Sequence, residues 1–155
     1  MIRLHDEDAT ARLAHALARR LPPGAVVLLS GPMGAGKTTL VRHLARALGF
    51  RGRVTSPTYT LMHTYPTPAG TLLHVDVYRL PDPRSLWDLG LEDAMAGARL
   101  TLIEWGRPQD FDADVLVELE PEARARRARL EALRPELEPL LAEIAREAAA
   151  DDEPA

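Results

Sequence analysis

Residues 31–38, Gly31-Pro32-Met33-Gly34-Ala35-Gly36-Lys37-Thr38, fit the pattern G-x4-G-K-[ST] at each fixed position. The chemistry that this spacing serves is the holding of phosphate. Glycines let backbone N–H groups curl around phosphate oxygens, and a helix starting near the lysine points its positive end at them. Lys37 would then reach the β- and γ-phosphates of a nucleotide, and the Thr38 hydroxyl would ligate Mg2+. Of the 19 basic residues, Lys37 is the one lysine; the others are arginine. A phosphate-binding loop is expected from Gly34, Ala35, Gly36, Lys37 and Thr38.

Other residues gain meaning from that loop. A carboxylate at the end of another buried strand is needed to complete a Mg2+ shell. Glu104, directly after Leu100-Thr101-Leu102-Ile103, has the position, although Asp is the commoner choice. His74 and Asp76 are two apart and share one face of a strand. No further His or Cys forms a set with them, which argues against zinc. Asp76 is instead suited to orienting water or the outer shell of a metal. His74 reads more readily as a hydrogen-bonded structural histidine than as a catalytic one. Ser56-Pro57-Thr58-Tyr59-Thr60 supplies hydroxyls in a stretch stiffened by proline. Arg124, Arg126, Arg127 and Arg129 read as a solvated face, with phosphate or RNA as the alternative.

These groups need elements to position them. Residues 6–20 read as a helix, with acids in the first turn, arginines in the last and a stripe of Ala9, Leu13, Ala16 and Leu17. After Pro22-Pro23-Gly24, residues 25–29 are apolar throughout, as in a parallel strand covered on both faces. The glycine loop follows, and residues 38–48 resume helical spacing, with Gly49 as C-cap. Strands are expected over 54–65 and 71–78 as an antiparallel pair around Pro66–Gly70, then over 100–103 and 115–119. A helix is expected over 82–96 and another over 137–149. Residues 122–133 combine high helix propensity with strand-like alternation at Ala128, Leu130 and Ala132, and both readings stay open. The class is α/β: a single P-loop NTPase-like domain over residues 1–150, with a mixed, mainly parallel central sheet flanked by helices and a frayed tail at 151–155.

Composition removes several function classes. The chain has 155 residues, 46% apolar and 27% charged, which fits one globular domain. It has no cysteine, so disulfides, thiolate zinc sites and cysteine nucleophiles are excluded. A net charge of −4 argues against a mainly electrostatic nucleic-acid binder. No apolar run approaches the ~20 residues of a membrane span, and the first residues lack a secretion signal. A cytoplasmic protein with no membrane or DNA partner is expected.

Gly31-Pro32-Met33-Gly34-Ala35-Gly36-Lys37-Thr38-Thr39, Ser56-Pro57-Thr58-Tyr59-Thr60, His74-Val75-Asp76-Val77-Tyr78-Arg79-Leu80 and Ile103-Glu104-Trp105 together resemble the TsaE (YjeE) family in order and spacing. Asp6-Glu7-Asp8-Ala9-Thr10 is similar to the family's opening segment. Pro32-Met33 stands where Asp-Leu is common. The resemblance covers about residues 25–106. It implies a small ATPase that binds ATP or ADP with Mg2+, is slow alone, and acts with the TsaB and TsaD proteins in forming threonylcarbamoyladenosine on tRNA next to the anticodon. Contact with tRNA would be indirect, through the complex. The same resemblance implies that Lys37 and Thr39 contact phosphates, that Thr38 and Glu104 hold Mg2+, and that Asp76 is needed for hydrolysis. It also makes residues 56–60 a switch-like segment and Trp105 a support beside Glu104. The main alternative is a small-molecule or nucleotide kinase with the same loop. A GTPase of the common type lacks the second lysine that its base-reading motif requires, and a nonenzymatic RNA-binding module fits the acidity poorly.

Overall fold

A computed structural model of the chain describes residues 2–32, 34–54, 62–77, 90–123 and 125–149. Its elements, in order, are β1 (Ile2–Leu4), α1 (Glu7–Arg20), β2 (Ala25–Ser30), α2 (Lys37–Ala47), β3 (Met62–Tyr65), β4 (Thr71–Asp76), α3 (Leu91–Ala96), β5 (Ala98–Glu104), β6 (Val115–Pro121), β7 (Arg126–Ala132) and α4 (Glu138–Ala149). The strands form one sheet in the order β1-β7-β6-β2-β5-β4-β3. The centre is parallel, with β2 between β5 and β6 and β4 beyond β5. Antiparallel pairs close both sides, β3 on β4 and β6 on β7, with β1 outermost on β7. This is the mixed, mainly parallel sheet with flanking helices expected of a P-loop NTPase-like fold.

Both faces of the central strands are covered, which is why β2 is apolar at successive positions. Val27 and Leu29 join Leu13, Leu17, Leu40, Leu44 and Ile144 in the core beneath α1, α2 and α4. Val26 and Leu28 point the other way, into a second core with Leu73, Val75, Leu91, Ile103 and Phe111. The stripe Ala9, Leu13, Ala16 and Leu17 is wholly buried. Asp6 caps α1 by accepting from the Ala9 N–H at 2.8 Å, satisfying one of the open first-turn donors. At the other end, Arg99 donates to the carbonyls of Ala18, Leu21 and Pro22. Arg20 pairs with Glu143 and Glu147, and Arg19 also pairs with Glu147, clasping α4 to α1.

Helix α2 ends in a Schellman motif: Phe50 N–H donates to the Ala45 carbonyl at 2.9 Å, and Gly49 N–H to that of Arg46 at 3.0 Å. Gly49 has φ +102°, and a Cβ there would lie 2.9 Å from Cδ of Pro68. Gly49→Ala should therefore lower unfolding stability by ~1–3 kcal/mol, the usual cost of a left-handed non-glycine residue. Denaturant unfolding measures it, and an unchanged midpoint would contradict the account.

At three places the structure adds to the expectations, decides between them or alters them. β1 is a strand not anticipated at the N-terminus; Ile2 and Leu4 are buried and Arg3 is exposed, so the alternation is real but only three residues long. Residues 126–132 are a strand, because seven rungs to β6, from Val115↔Ala132 to Pro121↔Arg126, outweigh local helix propensity. α3 begins only at Leu91, since Gly90 at φ +87° interrupts any helix running into it. The expected switch-like residues 56–60, the earlier part of the 82–96 helix, Arg79, Arg124 and the 151–155 tail lie outside the described residues.

Candidate active site

The site forms where β2, β4 and β5 end, on the side from which α2 leaves the sheet. The turn after β2 is tight for steric reasons. A Cβ on Gly31 would meet the Leu119 carbonyl of β6 at 2.5 Å, so this backbone sits directly against the neighbouring strand. Gly36, at φ +101°, is the N-cap of α2 and makes no side-chain cap bond. The first-turn N–H groups of α2 are therefore left without a capping side chain from Gly36.

The side chains around this turn converge. Lys37 is buried, at 7% exposure. Its Nζ lies 3.8 Å from Glu104 Oε1 and 3.7 Å from the centre of the Trp105 ring. Burial pushes the ammonium below the ordinary lysine range, and Glu104 and Asp76 pull it back up. Glu104 ends β5 and is itself buried, at 4% exposure. Its second oxygen, Oε2, is 2.6 Å from Nε2 of His74 on β4. Asp76 pairs in register with Glu104 across β4 and β5, so both carboxylates reach the strand ends on the same face.

Trp105 follows at φ +66°, the one non-glycine residue with positive φ among those described. A left-handed aromatic residue costs ~1–3 kcal/mol, and here that turn places the indole over the lysine. Gly34, Gly36, Lys37, Thr38, Thr39, Asp76, Glu104, Trp105 and Arg126 line one cavity of about 290 Å3. The motif residues expected in the site are thus gathered from two strand ends, the glycine turn and one helix; Ala35 is buried under the turn.

Arg126 is the residue whose position the sequence left undecided. A Cβ on Gly36 would lie 2.6 Å from its Nη1, so the guanidinium rests across the glycine turn. No carboxylate among the described residues pairs with it, whereas Arg127 pairs with Glu120 and Glu122. The strand period explains the split. Arg126 shares a face with the buried Ala128, and Arg127 and Arg129 point oppositely. That alternation was visible in the sequence; which face looks toward the loop was not. A second cavity of about 440 Å3 adjoins the first, sharing Gly34, Thr39 and Arg126, and is walled by residues 4–7 and 121–123.

Comparison with known proteins now adds to the geometry. Residues 4–129 match the family model "Threonylcarbamoyl adenosine biosynthesis protein TsaE". The chain belongs to the TsaE family. It is 44% identical over 103 residues to the tRNA threonylcarbamoyladenosine biosynthesis protein TsaE of Rickettsia bellii, covering 66% of this chain and 71% of that one. To the protein of the same name from Rickettsia felis it is 42% identical over 106 residues, covering 68% of this chain and 61% of that one. The crystal structure of "Bacillus subtilus YdiB" superposes with a TM-score of 0.71 at 27% identity, over 93% of this chain and 92% of the other. No helix among the described residues is long and apolar enough to cross a membrane.

Proposed function

We propose that this TsaE-family chain is a Mg2+-dependent ATPase serving the formation of threonylcarbamoyladenosine on tRNA, together with the TsaB–TsaD pair. The observation that carries the ATPase reading is the convergence of one buried lysine, two carboxylates and an arginine that no described carboxylate pairs with, on the first turn of a helix. These are the charges that a triphosphate and its cation require. A triphosphate would lie over Gly34–Thr39, with Lys37 and Arg126 against its oxygens. The adjoining cavity, walled by residues 4–7 and 121–123, would take the nucleoside.

The donor set suits Mg2+: the Thr38 hydroxyl and the Glu104 carboxylate are hard oxygen ligands in the same cavity, with Asp76 beside them. When bound, the cation neutralises charge on the phosphate oxygens. The chain's own residues do the rest. The glycine turn fixes the phosphates through backbone N–H groups, Lys37 offsets the charge on the terminal ones, and Asp76 orients the attacking water. Trp105 covers the lysine and limits water on that side. Attack of water on the terminal phosphorus breaks its bond to the bridging oxygen and yields ADP and phosphate.

Reconstitution with purified TsaB and TsaD, tRNA and the activated threonylcarbamoyl donor tests the reading. Low basal ATP hydrolysis should rise when the pair is added, and repeated rounds of tRNA modification should require this protein. Full-rate modification over many turnovers without it would sink the pathway assignment. Transfer of the γ-phosphate to an added small-molecule acceptor would instead establish a kinase.

A further inference from the structure

His74 is fully buried, yet one of its ring nitrogens, Nδ1, has no hydrogen-bond partner among the described residues. It stands in β4 between Leu73 and Val75, in register with Leu102 of β5 and His63 of β3. An aliphatic side chain would cover that position without leaving a polar atom unsatisfied. Among the described residues the histidine makes one side-chain polar contact in return, the 2.6 Å bond from Nε2 to Glu104 Oε2.

That bond decides how the carboxylate is presented. Glu104 is two residues beyond the register partner of His74, on the same face of the sheet. Its side chain would otherwise be free to rotate between the lysine and the open cavity. With Oε2 held by the imidazole from below, Oε1 is the oxygen left to face Lys37 and the cavity beside Thr38. We propose that His74 is a positioning residue, whose Nε2–H fixes the Glu104 carboxylate in the orientation from which Oε1 serves the metal–phosphate site. This rests on the ATPase reading above. The burial of an imidazole with one idle nitrogen is the structural consequence of keeping a donor at that one point.

Two amide substitutions separate positioning from packing. In His74→Gln the amide nitrogen falls where Nε2 stood and can still donate to Glu104. In His74→Asn it falls nearer Nδ1 and cannot reach. Both variants bury an amide. Partners that orient a metal-binding group are commonly worth about 10–100-fold in activity or metal affinity. His74→Asn should therefore slow single-turnover ATP hydrolysis at least about tenfold and raise the Mg2+ concentration for half-maximal strengthening of ADP binding by a similar factor. His74→Gln should recover both to within about threefold of wild type, and both variants should bind ADP in EDTA as the wild type does. In a Glu104→Gln background His74→Asn should add little, as coupled residues do.

Equal losses in the Asn and Gln variants, or loss of metal-free ADP binding in both, would make His74 a packing residue and overturn the proposal. Wild-type rate and Mg2+ dependence in His74→Asn would overturn it too, leaving the ATPase reading intact. A wild-type protein that neither binds nor hydrolyses ATP removes the ATPase reading, and this proposal with it.

Discussion

Lys37→Ala should weaken ATP binding by about a hundredfold or more while leaving the fold in place. Loss of a desolvated, charge-paired group typically costs ~2–5 kcal/mol, so two decades of affinity lie within that range. The structural basis is the enclosure of Nζ. It is held between Glu104 Oε1 and the Trp105 ring, and among the described residues the other cation on the cavity wall is Arg126, on β7. The fold should survive the loss of the lysine. Burial disfavours its charged form in the native state, as the lowered pKa records. A lysine whose native pKa lies below its unfolded value binds its proton less tightly when folded. At neutral pH the charged group therefore opposes folding, and its removal relieves that opposition. Glu104 keeps its bond to His74 in the variant. Thermal unfolding of Lys37→Ala should accordingly shift by no more than a few degrees. Calorimetry showing wild-type ATP affinity in the mutant would refute the assignment of Lys37 to the terminal phosphates.

The parts of this site legible in the sequence are those that one contiguous stretch encodes. The run of apolar residues in β2, the glycines after it and the helical spacing of Leu40, Val41 and Leu44 specify strand, turn and helix by local physics alone. Glu104 was placed by the same means, as the polar residue closing an apolar strand. What could not be read is what pairing over distance determines. β1 has three residues, too few for a periodic signal, and exists because β7 offers it an edge. β7 carries Arg and Ala in proportions that favour a helix in isolation, and becomes a strand through its ladder to β6. Arg126 reaches the glycine turn only as a result of that ladder, so its separation from Arg127 and Arg129 could not be decided in advance. The His74–Glu104 bond is of the same kind. Each residue was singled out by itself, but their meeting depends on the register of β4 against β5, which no local pattern encodes.

Glu104→Gln should leave nucleotide binding nearly intact and slow ATP hydrolysis by about two decades, a loss of ~2.7 kcal/mol in the transition state. The contrast with Lys37 follows from where each charge acts. On the proposed reading, the lysine would face phosphate oxygens that are already charged in bound ATP, so its loss would be felt on binding. Glu104 faces the lysine, and on the same reading its charge would set how lysine and metal are held as charge redistributes during bond breaking, where fixed groups contribute most. Glutamine matches glutamate in shape and retains an oxygen that can accept from His74, so packing at this buried position changes little. What disappears is the negative charge 3.8 Å from Nζ and one hard oxygen ligand beside Thr38. Asp76→Asn should behave similarly, with a loss of at least about tenfold, because Asp76 stands in register with Glu104 on the adjacent strand. ADP affinity by calorimetry in EDTA, set beside single-turnover hydrolysis with saturating ATP and Mg2+, separates the two quantities. Unchanged ADP binding with slow turnover supports the role. A single-turnover rate equal to that of the wild type would show that the carboxylate ending β5 is structural, and the search for the metal ligand would move to Asp76.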